Sequence, residues 1–317
     1  MTHATGKVRR AAYTEKLCRE SDSERSSAAS IFEDIDMQRS FFTLTGLSPV
    51  QKVVEIGAAD SYLEPQYASL LASENATYVG FEPDAFQFAH LVAKGEPRKT
   101  YLPRAIGDGN KHKLHVCAEP GLTSLLEPNA DVLKLFHEFP NWGVVQKTIE
   151  MDTVRLDDVA EAIGVTFLQL DIQGAELMAL EHAKACLKTT CAIHVEVEFL
   201  PLYKDQPLFW DIGKYLQTQG FAFHQFCPLT TRPIAPLMVD NNPRRGLNQI
   251  VWADAVFVRD FSNFANFTDE QLLATAAILH DCYRSIDLAW RLLIEYDRRC
   301  GATTATKYFG TLTSKAA

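Results

Sequence analysis

No stretch of the sequence approaches the roughly 18 uninterrupted apolar residues that a membrane span requires, so a soluble chain without a membrane partner is expected. Paired cysteines are also missing. The seven present (Cys18, Cys117, Cys186, Cys191, Cys227, Cys282 and Cys300) are odd in number, scattered and never spaced C-x-x-C. That argues for neither a disulfide framework nor a zinc site, and it favours a reducing compartment. The histidines make no H-x-x-x-H pair, which argues against a histidine-based metal site. Positive charge is outweighed as well: the net charge is −9, and basic clusters such as Arg9-Arg10 and Arg244-Arg245 are too small for an electrostatic footprint. A nucleic-acid partner is not expected from that balance, because phosphate neutralisation drives such binding. The N-terminus carries charge but no apolar segment behind it, so no secretory signal is read and the expected location is cytoplasmic.

What remains is an ordinary globular composition on 317 residues, long enough for one large α/β domain with extensions. Residues 1–45 read as a polar tail (ESDSERSSAAS) followed by one helix. Residues 46–260 read as the main domain, and 261–317 as a C-terminal helical extension. In the main domain, apolar runs of four to seven residues alternate with helix-period segments, the pattern of a mostly parallel sheet. The expected strands are Lys52–Ile56, Thr77–Phe81, Lys99–Ala105, Thr166–Leu170, Ala192–Phe199, Ala222–Phe226 and Ile250–Val258. Helices are expected at 63–74, 85–95, 155–164, 174–188 and 207–220. The last two strands have no helix between them and are read as an antiparallel pair. Thr268 and Gln271 form a capping-box pattern at the head of a helical hairpin. That hairpin either packs on its own subunit or joins two copies in a homodimer.

Several residues stand out chemically. In VVEIGAADS (53–61) an apolar strand runs into Gly57, with the small Ala58 behind it and Asp60 and Ser61 beyond. Such a turn lets backbone approach a ligand. Glu55 is a carboxylate inside an apolar strand, costly unless paired. Glu82 in GFEPD, followed by Pro83, ends the second strand, where such folds grip ribose hydroxyls. In RAIGDG, Ala105 and Ile106 are placed to sandwich an adenine ring, with Asp108 near an exocyclic amine. Asp171 falls at the carboxyl end of the fourth strand, where ligands bind in open α/β sheets. Alternation in AIHVEVEFL puts His194, Glu196 and Glu198 on one face, where a covered strand should be apolar, marking either an edge or a functional cleft. Glu176 is read as structural.

VVEIGAADS, GFEPD, AIGDG, LQLDIQGAELMALEHA and EVEFLPLYKDQPLFWDIGKYLQTQGF, in that order, resemble the FkbM family of S-adenosylmethionine-dependent methyltransferases over about residues 50–260. The resemblance implies a class I methyltransferase (Rossmann-like) fold, with a seven-stranded mostly parallel sheet and an antiparallel last strand. It implies methyl transfer from S-adenosyl-L-methionine to a hydroxyl of a small molecule or sugar. Carried over, Glu55, Gly57 and the following turn would hold the methionine part, Glu82 the ribose, and Ile106 with Asp108 the adenine. Asp171 would line the cleft beside the sulfonium. This sequence departs from the family pattern at Ser61, where a glycine is common, and at Gln173, where many relatives carry Glu.

An alcohol is a weak nucleophile at neutral pH, so a base or a metal should assist. Asp171 is expected to orient or deprotonate the acceptor hydroxyl, with Glu196 supporting and His194 nearby. A divalent ion shared by these carboxylates is the alternative, although the sequence shows no ligand set. The acceptor pocket is expected from the 118–150 insertion and the 227–249 loop, with Phe136, Phe139, Trp142, Arg232 and Arg244. Two rival readings remain at this point, a nicotinamide-dependent oxidoreductase and a non-catalytic module of the same fold.

Overall fold

The computed structural model describes residues 39–59 and 64–314. Seven strands build its main sheet: β1 (Gln51–Ile56), β2 (Ala76–Phe81), β3 (Lys99–Leu102), β7 (Phe167–Leu170), β8 (Ala192–Glu198), β9 (Phe221–Thr231) and β10 (Ile250–Arg259). Their order is β3-β2-β1-β7-β8-β10-β9. All neighbours run parallel except β10, which is antiparallel to both β8 and β9. The expected sheet, with its reversed last strand, is therefore present. This is the topology that the resemblance implies. Beside it, β4 (Ala105–Ile106), β5 (Lys111–Cys117) and β6 (Val145–Val154) form a small sheet ordered β4-β6-β5.

The chain divides into two compact units, described over residues 48–302 and over residues 39–47 with 303–314. In the smaller one, α1 (Phe41–Thr45) is capped by Ser40 Oγ, which accepts from the Thr43 amide. Its other end stops at Gly46 in the left-handed region (φ +75°). The last helix, α11 (Thr304–Leu312), lies beside it; Phe41 and Tyr308 pack 6.2 Å apart and Lys307 Nζ donates to Thr45 O. The sequence reading had no helix at 304–312. Most of the helix expected around 31–42 lies outside the described residues.

In the larger unit the helices are α2 (Ala68–Leu71), α3 (Ala85–Ala93), α4 (Ala130–Leu133), α5 (Phe139–Trp142), α6 (Glu176–Glu181), α7 (Lys184–Leu187), α8 (Phe209–Thr218), α9 (Asp269–Tyr283) and α10 (Ile286–Cys300). One sheet face carries Val54, Ile56, Leu168, Leu170, Val195 and Phe257 against Leu180, Ile212 and Leu216 of α6 and α8, the main core. The opposite face is covered by Tyr67, next to α2, and by α9. Tyr67 and Tyr283 both pack on Phe167, and Gln51 Nε2 donates to Ala274 O. The C-terminal hairpin α9–α10 thus packs on its own sheet, opened by the expected Thr268–Gln271 capping box.

Three expected elements differ. The third strand breaks after Leu102, where Pro103 supplies no amide donor, and Ala105–Ile106 pairs with β6 instead. Residues 155–164 form two short 3-10 turns rather than a helix. There Asp157 turns away to accept from the amides of Ala185 and Cys186 at the head of α7. The stretch 174–188 splits into α6 and α7 at His182 and Ala183. No helix of the described residues is long and apolar enough to cross a membrane.

Candidate active site

β1 delivers the chain into Gly57, whose φ is +88°. The amides of Gly57 and Ala58 both donate to Phe81 O at the end of β2. A Cβ on Gly57 would lie 2.0 Å from the carbonyl oxygen of Asp171, so only glycine lets this turn touch the end of β7. Ala58 is buried, and Asp60 and Ser61 lie outside the described residues.

Glu82 sits just past β2. Its Oε1 accepts from the Asp84 amide at 2.7 Å, while Asp84 caps α3 through the amides of Phe86 and Gln87. Glu82 is only 8% exposed, and burial pushes its carboxyl up to about 7, against the opposing hydrogen bond from Asp84. Pro83 holds the turn between them and is half-buried.

Glu55 is satisfied internally. Its Oε2 accepts from Tyr67 at 2.6 Å and from Tyr78, and its Oε1 accepts from Gln169 at 3.1 Å. Burial raises its carboxyl above the usual range, opposed by the two phenols. In this arrangement Glu55 braces β1 against its neighbours.

The adenine expectations are corrected at two residues. Ile106 is 3% exposed and packs into the main core, so its side chain offers no open face to a ring; half-buried Ala105 is the accessible member. Asp108 is consumed by its own turn. Its carboxylate accepts from the Asn110 amide and side chain and from His112, and Thr153 Oγ1 donates to it at 3.3 Å. Burial alone would raise this carboxyl, but the Asn110 and His112 hydrogen bonds hold it well below the usual range.

A side-chain network forms at the carboxyl ends of β7 and β8. Gln173, with φ +56°, donates through Nε2 to Asp171 Oδ1 at 2.8 Å and to Glu196 Oε2 at 2.5 Å. Its Oε1 accepts from Tyr203 at 3.0 Å, and its backbone oxygen accepts from Ser124 Oγ at 2.6 Å. Glu176 is fully buried and caps the same turn, accepting from the amides of Ile172 and Gly174, with its carboxyl raised to about 7 by burial. Burial and the neighbouring Asp171 carboxylate raise Glu196 well above the ordinary range. Glu198, 2% exposed, is raised likewise by burial and by Glu176, and its Oε2 is enclosed with no hydrogen-bond partner. Burial and mutual repulsion thus favour the neutral forms of Glu196 and Glu198, whereas Asp171 is exposed at the strand end.

His194, expected beside these groups, is elsewhere. It is 5% exposed, with Nδ1 3.0 Å from Tyr283 OH and Nε2 3.5 Å from Asp254. Its ring stacks on Tyr283 at the end of α9, so the expectation of a reacting histidine is set aside for a packing role.

A cavity of about 320 Å³ opens over Gln173, Glu196 and Glu198. Its wall comes from the two segments expected to build an acceptor pocket: Glu119, Leu122, Phe139 and Trp142 from the insertion, and Arg232 and Arg244 from the late loop. Phe136 backs the wall from a small core with Phe139 and Tyr203. Arg244 lies over Trp142 and donates to Glu138 through Nε and Nη2, at 2.9 and 3.2 Å. Arg232 lies 4.5 Å over the Trp252 ring. Sequence reasoning missed Trp252, Gln173 as a bridge, and Tyr203. Period-two pairing gives the signal for Trp252, since in the antiparallel register it sits opposite Glu198. Among the described residues no group of three or more His, Cys, Asp or Glu side chains is arranged to hold a metal ion.

The model of the methyltransferase FkbM domain matches residues 55–223. No curated protein matches the chain. Two solved structures show weak similarity. A candidate methyltransferase from Thermoplasma acidophilum has 7% identity and a TM-score of 0.35, covering 68% of this chain and 70% of its own. An S-adenosylmethionine-dependent methyltransferase from Aquifex aeolicus has 10% identity and a TM-score of 0.30, covering 72% of this chain and 93% of its own. The matched domain begins at Glu55, near the end of β1, and ends at residue 223, early in β9, so Gly57, Glu82, Asp171, Glu196 and Glu198 lie within it and Arg232, Arg244 and Trp252 lie beyond it.

Proposed function

This chain belongs to the FkbM methyltransferase family, and from that premise we propose that it methylates a hydroxyl oxygen of a small molecule or sugar. Membership makes it an S-adenosylmethionine-dependent methyltransferase, and the nicotinamide-dependent and non-catalytic readings fall with it. The observation that carries the acceptor side is the Gln173 bridge. It ties Asp171, which touches the Gly57 turn, to Glu196, which lines the cavity.

The residues present fit the cofactor. Glu82 has one oxygen committed to Asp84 and the other open, and its buried carboxyl lacks the donors that two ribose hydroxyls would supply. The Gly57–Ala59 backbone would flank the methionine part, and Ala105 the base. When bound, the cofactor supplies an electrophilic methyl on a sulfonium.

This chain's own work is alignment and proton removal. In-line displacement gains most from holding the acceptor oxygen against the methyl. Glu196, protonated, donates to the acceptor and fixes its position, while Asp171 takes the hydroxyl proton as the oxygen–methyl bond forms. A base so placed contributes about 10²–10⁴-fold. Gln173, donating to both carboxyl groups, keeps them in register.

Thermal unfolding with S-adenosylmethionine, S-adenosylhomocysteine, NAD and NADP added separately tests the reading. A ligand of the folded state raises the melting temperature, by about 2.7 kcal/mol of linkage at a hundredfold excess over Kd. A shift with the sulfur nucleosides alone is expected, and one with only a nicotinamide nucleotide would refute it.

A further inference from the structure

Among the described residues, the cavity holds one cation with no carboxylate at ion-pair distance. Arg244 is already bidentate on Glu138. Arg232, by contrast, has no carboxylate within ion-pair distance among the described residues; its Nη1 donates to Thr231 O at 3.0 Å. Its Nε is enclosed with no hydrogen-bond partner. Trp252 lies against the guanidinium face and fixes its plane. The edge formed by Nε and Nη2 is thus left with two parallel N–H groups and no acceptor. That fork matches the two oxygens of a carboxylate or phosphate. A half-buried guanidinium with an unmet donor costs stability, because desolvated donors without acceptors are unfavourable. A wall built only to be apolar would carry a leucine there.

The floor of the cavity agrees. Two of its acidic groups, half-buried Glu196 and buried Glu198, lie near Glu176, and this crowding and burial favour their neutral forms, which weakens repulsion of an incoming anion. They present donors to hydroxyls, while Arg232 presents donors to a charge. The two ends of the cavity therefore ask for different groups on one molecule.

We infer that the acceptor is a hydroxylated organic acid, a polyol carrying a carboxylate or phosphate, with its anionic group on the free edge of Arg232 and its hydroxyls toward Glu196 and Glu198. This rests on the methyl-transfer reading above and adds the acceptor's charge to it.

The test uses D-glucuronate, glucose 6-phosphate and neutral D-glucose as probes on the full chain, with and without S-adenosylhomocysteine, by calorimetry and thermal unfolding. In the wild type at least one acid binds about tenfold or more tighter than glucose, the value of a charge-assisted pair. In Arg232→Gln that preference disappears, glucose affinity changes little, and the S-adenosylhomocysteine shift is unchanged. Arg232→Lys, which keeps the charge and loses the fork, recovers only part of the preference. Whichever acid is preferred identifies carboxylate or phosphate. No acid preference in the wild type, or a preference retained in Arg232→Gln, overturns the inference. Absence of the nucleoside shift in the wild type instead strikes the methyl-transfer reading, and the sugar arms without nucleoside still report on Arg232.

Discussion

At the scale of single residues, the proposed cofactor side rests on Gly57 for shape and on Glu82 for charge. Gly57→Ala places a methyl 2.0 Å from the Asp171 carbonyl at a positive φ. It should cost about 2 kcal/mol or more in urea unfolding, because strain and overpacking add. Glu82→Ala should weaken S-adenosylhomocysteine binding about 10–100-fold by calorimetry, the range for hydrogen bonds to a charged group. Its unliganded melting temperature should hold or rise, since the buried carboxyl is itself a cost. Unchanged affinity in that variant would remove Glu82 from the ribose. The places of these two at the strand ends were legible in the sequence, because a strand ending in a small-residue turn, followed by a strand ending in an acid, is a backbone pattern. It misassigned Ile106, Asp108 and His194 because each faces neighbours distant in the chain: the main core, the Thr153 turn and Tyr283 of α9. Period-two alternation puts His194 and Glu196 on one face, but it cannot say that α9 covers the first and the cavity opens over the second.

The elements were read best where the hydrophobic period and a terminal signal agree. β1, β2, β8 and α9 fall within a residue or two of expectation. Thr268 caps α9 by accepting from the Gln271 amide, while Gln271 Oε1 accepts from the Thr268 amide. Thr268→Ala should lower stability by about 0.5–2 kcal/mol without touching nucleoside affinity, measured by the denaturation midpoint. The 155–164 stretch failed as a helix although its composition suits one. There Asp157 gives its oxygens to the amides that open α7, and a tertiary cap outweighed local propensity. The break after β3 was legible in Pro103 itself.

Across the whole molecule, the buried acids set a direction for stability with pH. Glu82 and Glu176 rise to about 7, and Glu196 and Glu198 are raised well above the ordinary range, all mainly by burial. Between about 4.5 and 7 the folded chain therefore holds protons that the unfolded chain has released. Stability from these groups is complete below the unfolded value and is lost as pH climbs, by at most ~1.4 kcal/mol per group per pH unit. Unfolding of the ligand-free protein at pH 5 and pH 8 should show the lower value at pH 8. Gln173→Glu should steepen that loss, because it adds a carboxyl between Asp171 and Glu196; a slope no steeper than wild type would remove Gln173 from its bridging role. The sequence foretold the sheet and its reversed strand, since missing helices between strands are visible in composition. The grouping of α1 with α11 depends on contacts about 260 residues apart and left no local trace.

The reversed strand has one more outcome. Because β10 runs against β8, Trp252 enters the site at the start of its strand, just after the 232–249 loop that also brings Arg232 and Arg244. The ends of that loop are closed by the Arg232 amide on Gln249 O and by the pairing of Thr231 with Ile250. Most of one wall thus hangs from a single clasp, while Gly57, Glu82 and Asp171 hang from other strands. Selection could exchange that segment like a cassette, retuning which acceptor is admitted while the methyl-donor half is inherited intact.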